Sequence, residues 1–258
     1  MAKLRRENFS QIFKSKRFRI IGGAVTWLTV SGEQIRALFL GLGELSLKRL
    51  TLTFKNFWDR LTLAPGFLAQ ALVSLEEVDL QQCDLTREQA EALFQAIGET
   101  EQLKLKVLKL GHVDYGEYVE PELFKHLLRI KDLKVEVMDP KQVVAFYKSI
   151  EETKDLQLKK LTFGTNSATF IMEEDILART WPRLERIVIR TDAGMPMPSI
   201  YSEQVEAVFK EIIRSKDFKL KSVQLPSHIR AELPHNILTE TKAKISVVFS
   251  DDEDAEAE

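Results

Sequence analysis

Cysteine is nearly absent from this chain, since Cys83 is the only one among 258 residues and no disulfide can form within the chain. Secreted proteins commonly use disulfides, so a single cysteine favours a reducing compartment. Long apolar runs are missing too, because the best of them, residues 37–42, is far shorter than a bilayer-spanning helix. The N-terminus also lacks the continuous apolar stretch of a signal peptide. We therefore expect a soluble, cytoplasmic protein, with the nucleus as an alternative location.

Signals of catalysis and cofactor binding are missing as well. The glycine clusters at Gly22-Gly23 and at Gly41 and Gly43 fit neither phosphate-loop spacing, G-x-G-x-x-G or G-x-x-x-x-G-K-[ST]. The four histidines have no metal-ligand spacing among themselves or with Cys83. We expect no catalytic residue, no cofactor and no metal; the histidines are His112, His126, His228 and His235.

A short strand motif recurs along the chain, with apolar residues at positions 1, 4 and 6. The stretch from Leu75 to Leu85 fits the pattern L-x-x-L-x-L-x-x-N/C-x-L, with Cys83 at the N/C position, and Asn166 fills that position in a later copy. Most copies are 22 to 30 residues apart, which is the period of leucine-rich repeats. The copies are residues 25–30, 47–52, 75–80, 105–110, 130–135, 158–163, 184–189 and 220–225.

Helical segments of two alternating types lie between these strands. The first type is SGEQIRALFLGLGE, TREQAEALFQAIGE, DPKQVVAFYKSIEE and YSEQVEAVFKEIIR, which have a possible helix-capping Ser, Thr or Asp and one glutamine in register. The second type is APGFLAQALV, EPELFKHLLR, EEDILARTWP and LPHNILTETK. We interpret the chain as an α/β leucine-rich repeat solenoid, a horseshoe of about eight repeats with parallel strands on its concave face and helices on its convex face. The glutamines in register are Gln34, Gln89, Gln142 and Gln204.

The alternation of strands with helices resembles the ribonuclease-inhibitor-like class of leucine-rich repeat proteins. LEEVDL followed by LTREQAEALF, and LKRLTL followed by APGFLAQAL, are similar to tandem repeats of uncharacterised animal proteins of that class. The resemblance covers residues 25–249, but it weakens at residues 196–200 and after Leu225. There Pro226 and Pro234 predict an irregular terminal cap. The resemblance implies protein–protein recognition.

The two ends of the chain carry opposite charge, although the formal net charge is only −2. Residues 1–19 are strongly basic, and we interpret them as a helical cap on the first repeat, with phosphate or acidic lipid binding as the alternative. Residues 20–249 form the predicted repeat domain. Residues 250–258 are acidic, have no apolar residue larger than alanine and are predicted to be a disordered tail.

The binding surface is predicted from the strand motif, because side chains between the leucines point away from the core. This face is expected to be acidic near Glu77 and Asp79 and basic near Lys160, Arg186 and Arg190, and complementary charge would orient a partner. The predicted partner-binding residues are Trp27, Arg49, Glu77, Asp79, Lys109, Lys134, Lys160, Arg186 and Arg190.

These features favour a non-enzymatic scaffold that binds another protein through the concave face of the repeats. One alternative is a regulator of an enzyme, such as the leucine-rich repeat GTPase-activating proteins, which this chain resembles in its helix-rich repeats and acidic end. A second alternative is binding of nucleic acid or an acidic surface by the basic N-terminus. A protein is the expected partner, and nucleic acid is not.

Overall fold

The computed structural model describes residues 18–21, 24–27, 48–53, 64–82, 85–112, 119–137, 140–163, 174–190 and 202–250. The fold class is α/β, as the alternation in the sequence predicts. The chain divides into two compact units, Met1–Ile130 and Lys131–Glu258. No helix in the described ranges is both long and apolar enough to cross a membrane.

The first unit contains a sheet whose strands follow one another in chain order. Strands β1 and β2 pair antiparallel, and β2 to β5 pair parallel. A 3₁₀ turn, Pro121–Leu123, leads into the last helix. The elements are β1 (Phe18–Ile21), β2 (Ala24–Trp27), β3 (Arg49–Thr53), α1 (Pro65–Val73), β4 (Glu77–Gln82), α2 (Arg87–Glu99), β5 (Val107–His112) and α3 (Phe124–Leu127).

The second unit contains five parallel strands, β6 to β10, again in chain order. A 3₁₀ turn, Trp181–Arg183, precedes β8. The elements are β6 (Asp132–Val137), α4 (Pro140–Glu152), β7 (Lys160–Phe163), α5 (Glu174–Thr180), β8 (Arg186–Ile189), α6 (Ser202–Arg214), β9 (Ser222–Leu225), α7 (His228–Glu232), α8 (His235–Lys242) and β10 (Ser246–Phe249).

The apolar positions of the strand motif form the core of each unit. In the first unit Val78 lies beside Leu50 and Leu108 in the strand register, and all three side chains are fully buried. In the second unit Leu161, Ile187 and Val223 form the equivalent row and are also fully buried. Neighbouring strand–helix segments bury these apolar rows together, because a single strand and helix would leave one apolar face exposed to water.

The structure departs from the prediction in the first repeat. The motif aligns Leu28 with Leu50 and Trp27 with Arg49, but the parallel register places Val25 beside Leu50 and Trp27 beside Leu52. The predicted alignment of Trp27 with Arg49 is therefore wrong. Val25 and Trp27 form one apolar alternation in this segment, and Leu28 and Val30 form another. The pairing of the strands decides which alternation aligns with Leu50.

Both ends of the repeat region are more regular than predicted. Phe18 and Arg19, assigned to the N-terminal segment, lie in β1, a strand and not a helix; residues 1–17 are outside the described ranges. After Leu225, where an irregular cap was expected, α7, α8 and β10 continue the alternation. Pro234 is compatible with this order because it lies immediately before the first residue of α8, where a missing N–H breaks no helical hydrogen bond.

The three described helices of the first type have the same length. Helices α2, α4 and α6 each contain 13 residues. Gln89, Gln142 and Gln204 are buried in them, at 2%, 6% and 3% exposure. At α2 the predicted cap is confirmed, because the Thr86 hydroxyl accepts a hydrogen bond from the Gln89 N–H and the Gln89 side chain accepts one from the Thr86 N–H. Ser202, also a predicted cap, is instead the first residue of α6.

A basic side chain stabilises the C-terminal end of each of these three helices. At α2, Arg129 donates hydrogen bonds to the carbonyls of Ile97 (2.5 Å), Gly98 (2.6 Å), Thr100 (2.8 Å) and Glu101 (3.4 Å). The last carbonyls of a helix have no partner within it and carry partial negative charge, so a cation stabilises them.

The same interaction occurs twice in the second unit. Arg183 donates to four carbonyls at the end of α4. Lys244 donates to those of Ile212 (2.9 Å), Ile213 (2.7 Å) and Ser215 (3.4 Å) at the end of α6. Each of these cations immediately precedes the first buried apolar residue of the next strand segment, namely Ile130, Leu184 or Ile245. The two-repeat alternation therefore has a structural counterpart in both units.

Replacing Arg129 with alanine should lower the free energy of unfolding by roughly 1.5–3 kcal/mol, the range for hydrogen bonds to charged groups. Arg129→Lys should lose less, because Lys244 performs the same role with an ammonium group. Urea denaturation measures both changes, and Lys104→Ala is the control because the Lys104 side chain is exposed, lies outside the helices and forms no hydrogen bond or ion pair within the described part. An alanine variant as stable as the parent would contradict the capping role.

Gly98 should not tolerate a side chain, although it lies in a helix. A Cβ atom there would lie 2.3 Å from Nδ1 and 2.6 Å from Cγ of His126. Glycine to alanine normally stabilises a helix by about 1 kcal/mol, so a loss of stability in Gly98→Ala would identify the clash. In the His126→Ala background the same change should become stabilising. If urea denaturation shows that Gly98→Ala raises stability both with His126 and with alanine at position 126, the close packing of Gly98 against His126 would be contradicted.

Candidate functional site

Two rows of side chains alternate with the buried leucines and lie on the outward face of each sheet. In the first unit, adjacent strands align Arg49, Glu77 and Val107 in one row and Thr51, Asp79 and Lys109 in the other. In the second unit the corresponding rows are Asp132, Lys160, Arg186 and Ser222, and Lys134, Thr162, Val188 and Gln224.

Charge on the outward face of the first unit is internally balanced. Arg49 Nε lies 3.0 Å from Glu77 Oε2, and Lys109 Nζ lies 2.9 Å from Asp79 Oδ2 and 3.9 Å from Glu77 Oε1. The Asp79 side chain is only 16% exposed. The strand motif predicts an acidic area at Glu77 and Asp79, and this prediction is wrong because each carboxylate has a cation from a neighbouring strand.

Charge on the outward face of the second unit is not balanced. Lys160 Nζ lies 3.0 Å from Asp132 Oδ2, so this pair is neutral. Arg186 and Arg190 are exposed, and neither side chain has a hydrogen bond or ion pair with any residue that the structure describes. The expected basic area is therefore present at the two arginines. Lys134 is half-buried in the adjacent outward row.

The middle of the second row is less accessible than the sequence predicts. Thr162, Val188 and Gln224 are 4%, 2% and 7% exposed, although they alternate with core residues. The motif places these three residues between core positions, where side chains are expected to point away from the core. Arg186 at the start of β8 and Arg190 after its end are, by contrast, exposed.

A row of charged residues one position before each outward row was missed by the sequence analysis. In the first unit Glu76 lies 3.5 Å from both Lys48 and Lys106. These cations lower the pKa of Glu76, with Lys106 having the larger effect. The signal was available in the sequence, because in seven of the eight copies the residue after the first apolar position is charged: Lys48, Glu76, Lys106, Lys131, Lys159, Glu185 and Lys221.

Glu185 is the counterpart of Glu76 in the second unit. Its carboxylate accepts a hydrogen bond from Lys159 at 2.7 Å and another from Lys221 at 2.8 Å. These two hydrogen bonds lower the pKa of Glu185 to about 2. Because the folded pKa is depressed, the stabilisation is present above the ordinary pKa of a glutamate and is lost as the pH falls towards 2.

Metal and thiol chemistry have little support at these sites. Across the described residues, no group of three His, Cys, Asp or Glu side chains could hold a metal ion. Burial, followed by the charges of Lys125 and Arg129, lowers the pKa of His126, which favours its neutral form. Cys83 and Asn166 lie outside the described ranges.

Comparison with known proteins identifies no relative. No protein-family model matches the chain, and no curated protein matches it. The function must therefore be inferred from the chemistry of the exposed groups.

The carboxyl carbon of Glu185 should titrate with a pKa near 2 in a carbon-detected NMR experiment. In the variant Lys159→Met/Lys221→Met the pKa should return towards 4.5, its ordinary value, because both hydrogen bonds are removed. Glu203, which is exposed at the start of α6, serves as the control glutamate in the same spectra: its signal should respond to pH in the same way in both proteins. A Glu185 pKa unchanged by the double substitution would mean that the two lysines do not hold the carboxylate.

Proposed function

We propose that this protein is a non-enzymatic scaffold of leucine-rich repeats, of the ribonuclease-inhibitor-like class, that binds an acidic segment of another protein. Arg186 and Arg190 are the principal contacts, and they lie on the outward face of the second unit. The observation that carries the proposal is that both are exposed and form no hydrogen bond or ion pair within the described part of the chain. By contrast, the outward cations Arg49, Lys109 and Lys160 have carboxylate partners.

Three features support the repeat class. The apolar positions of consecutive strands form buried rows, and the strands are parallel. Helices of 13 residues recur between them with a buried glutamine at the same position. A basic residue caps each of those helices from the following repeat. An ordinary α/β domain has no reason to repeat these details.

The arginine pair indicates the chemistry of the partner. A guanidinium group binds a carboxylate through two parallel hydrogen bonds, which a lysine cannot do. Arg186 and Arg190 are four residues apart in extended chain, which corresponds to about 13 Å. Both therefore point to the same side, and an extended partner segment with carboxylates at a similar separation could contact both.

Reversing both arginines, Arg186→Glu/Arg190→Glu, should weaken binding at least about tenfold, equivalent to about 1.4 kcal/mol. Quantitative capture from the source cell would first identify the proteins depleted by the reversal, and their isolated acidic segments would then be titrated against both forms. The control is Lys104→Glu/Lys148→Glu, which reverses two exposed lysines elsewhere. Circular dichroism must remain unchanged in both variants.

The conservative variant Arg186→Lys/Arg190→Lys keeps the charge and removes the paired hydrogen bonds. An intermediate loss of affinity would support carboxylate recognition by the guanidinium groups. If capture survives the reversal to glutamate, the outward face of the second unit is not the binding site.

A further inference from the structure

A groove rich in lysine lies at the end of the second unit where β9 and β10 begin. It encloses about 640 Å³ and is formed by residues 218–221 and 242–246 together with Glu185. The two segments are held together by a 2.9 Å hydrogen bond from the Ser246 N–H to the Lys221 carbonyl. We call this feature the lysine groove.

Positive charge in the lysine groove exceeds negative charge. Its lining includes four lysines, Lys219, Lys221, Lys242 and Lys244, and a single carboxylate, that of Glu185. Glu185 already accepts hydrogen bonds from Lys221 and from Lys159. The exposed side chains of Lys219 and Lys242 form no hydrogen bond or ion pair within the described part of the chain. Lys221 remains 74% exposed although it is paired.

Several of these cations are positioned before any ligand binds. Lys244 is fixed by the three carbonyls at the end of α6, and its Nζ lies 5.9 Å from the centre of the Phe218 ring. Lys242 Nζ lies 5.8 Å from the centre of the Phe249 ring. Lys219 and Lys221 lie on either side of the buried Leu220, and both side chains line the groove. A pre-organised groove loses less conformational entropy on binding.

The excess positive charge of the groove indicates which anion fits. A phosphoryl group carries roughly −1.5 to −2 charge and several acceptor oxygens, so one group can pair with two lysine ammonium groups, whereas a carboxylate carries a single charge. All the cations that line the groove are lysines, and its volume is in the range of small-molecule sites. We propose that the lysine groove binds a ligand with clustered phosphoryl groups, which act as counter-ions for Lys219, Lys221 and Lys242.

Isothermal titration calorimetry with inorganic tripolyphosphate tests the proposal. The intact chain should bind it, and Lys219→Gln/Lys242→Gln should weaken binding at least about tenfold, since neither ammonium group forms a hydrogen bond or ion pair within the described part of the chain. Lys104→Gln/Lys148→Gln removes the same charge elsewhere and should change affinity by less than about twofold, because neither lysine lines the groove and exposed charges are screened by salt. Circular dichroism of both variants checks folding, and Lys244 is left intact because it caps α6.

Two further probes separate phosphoryl binding from other anion binding. Phosphatidylcholine vesicles containing a phosphoinositide would bind if the groove accepts a lipid headgroup, and binding of tripolyphosphate alone would indicate a free phosphate ligand. A polyglutamate peptide should bind the groove more weakly than tripolyphosphate. No binding of tripolyphosphate, equal weakening by the two double variants, or equal affinity for polyglutamate would overturn the proposal.

Discussion

Burial of one apolar face by the next repeat is the constraint on which the rest of this molecule depends. Val78 is fully buried between Leu50 and Leu108 in the register, and Ile187 is fully buried between Leu161 and Val223. Because side chains alternate along a strand, fixing these residues in the core also fixes which residues face outward. The placement of Arg186 beside Ile187 on the outward face is thus a consequence of packing.

Basic side chains bind the carbonyl groups at the C-terminal ends of the three 13-residue helices. Each 13-residue helix ends with carbonyls that lack intrahelical partners, and the polypeptide returns to the next strand directly beside them. Arg129 and Arg183 use two guanidinium nitrogens to reach four carbonyls each, whereas Lys244 reaches three with one ammonium group. The caps therefore couple a helix to the repeat that follows it, which adds a polar contact between neighbours to the apolar one.

Periodic features were predictable from the sequence, and pairwise features were not. Positions 1, 4 and 6 identified core residues such as Leu108 and Leu161, and the glutamine register identified α2, α4 and α6. The predicted alignment of Trp27 was wrong because two apolar alternations overlap in that segment, and the pairing of the strands decides between them. The neutralisation of Asp79 by Lys109 was also missed, because the two residues are separated by 30 positions and meet only across adjacent strands.

Whether a charge on these sheets is free depends on the residues that adjacent strands place beside it. Lys160 has Asp132 on one side in the register, and the two form an ion pair. Arg186 lies between Lys160 and Ser222, so neither neighbour offers a carboxylate. Its guanidinium group is exposed and forms no hydrogen bond or ion pair within the described part of the chain. Stacked strands thus leave a cation without a carboxylate beside it where a row lacks an acid. Among the described outward residues, this distinguishes Arg186 from Arg49, Lys109 and Lys160, which have carboxylate partners.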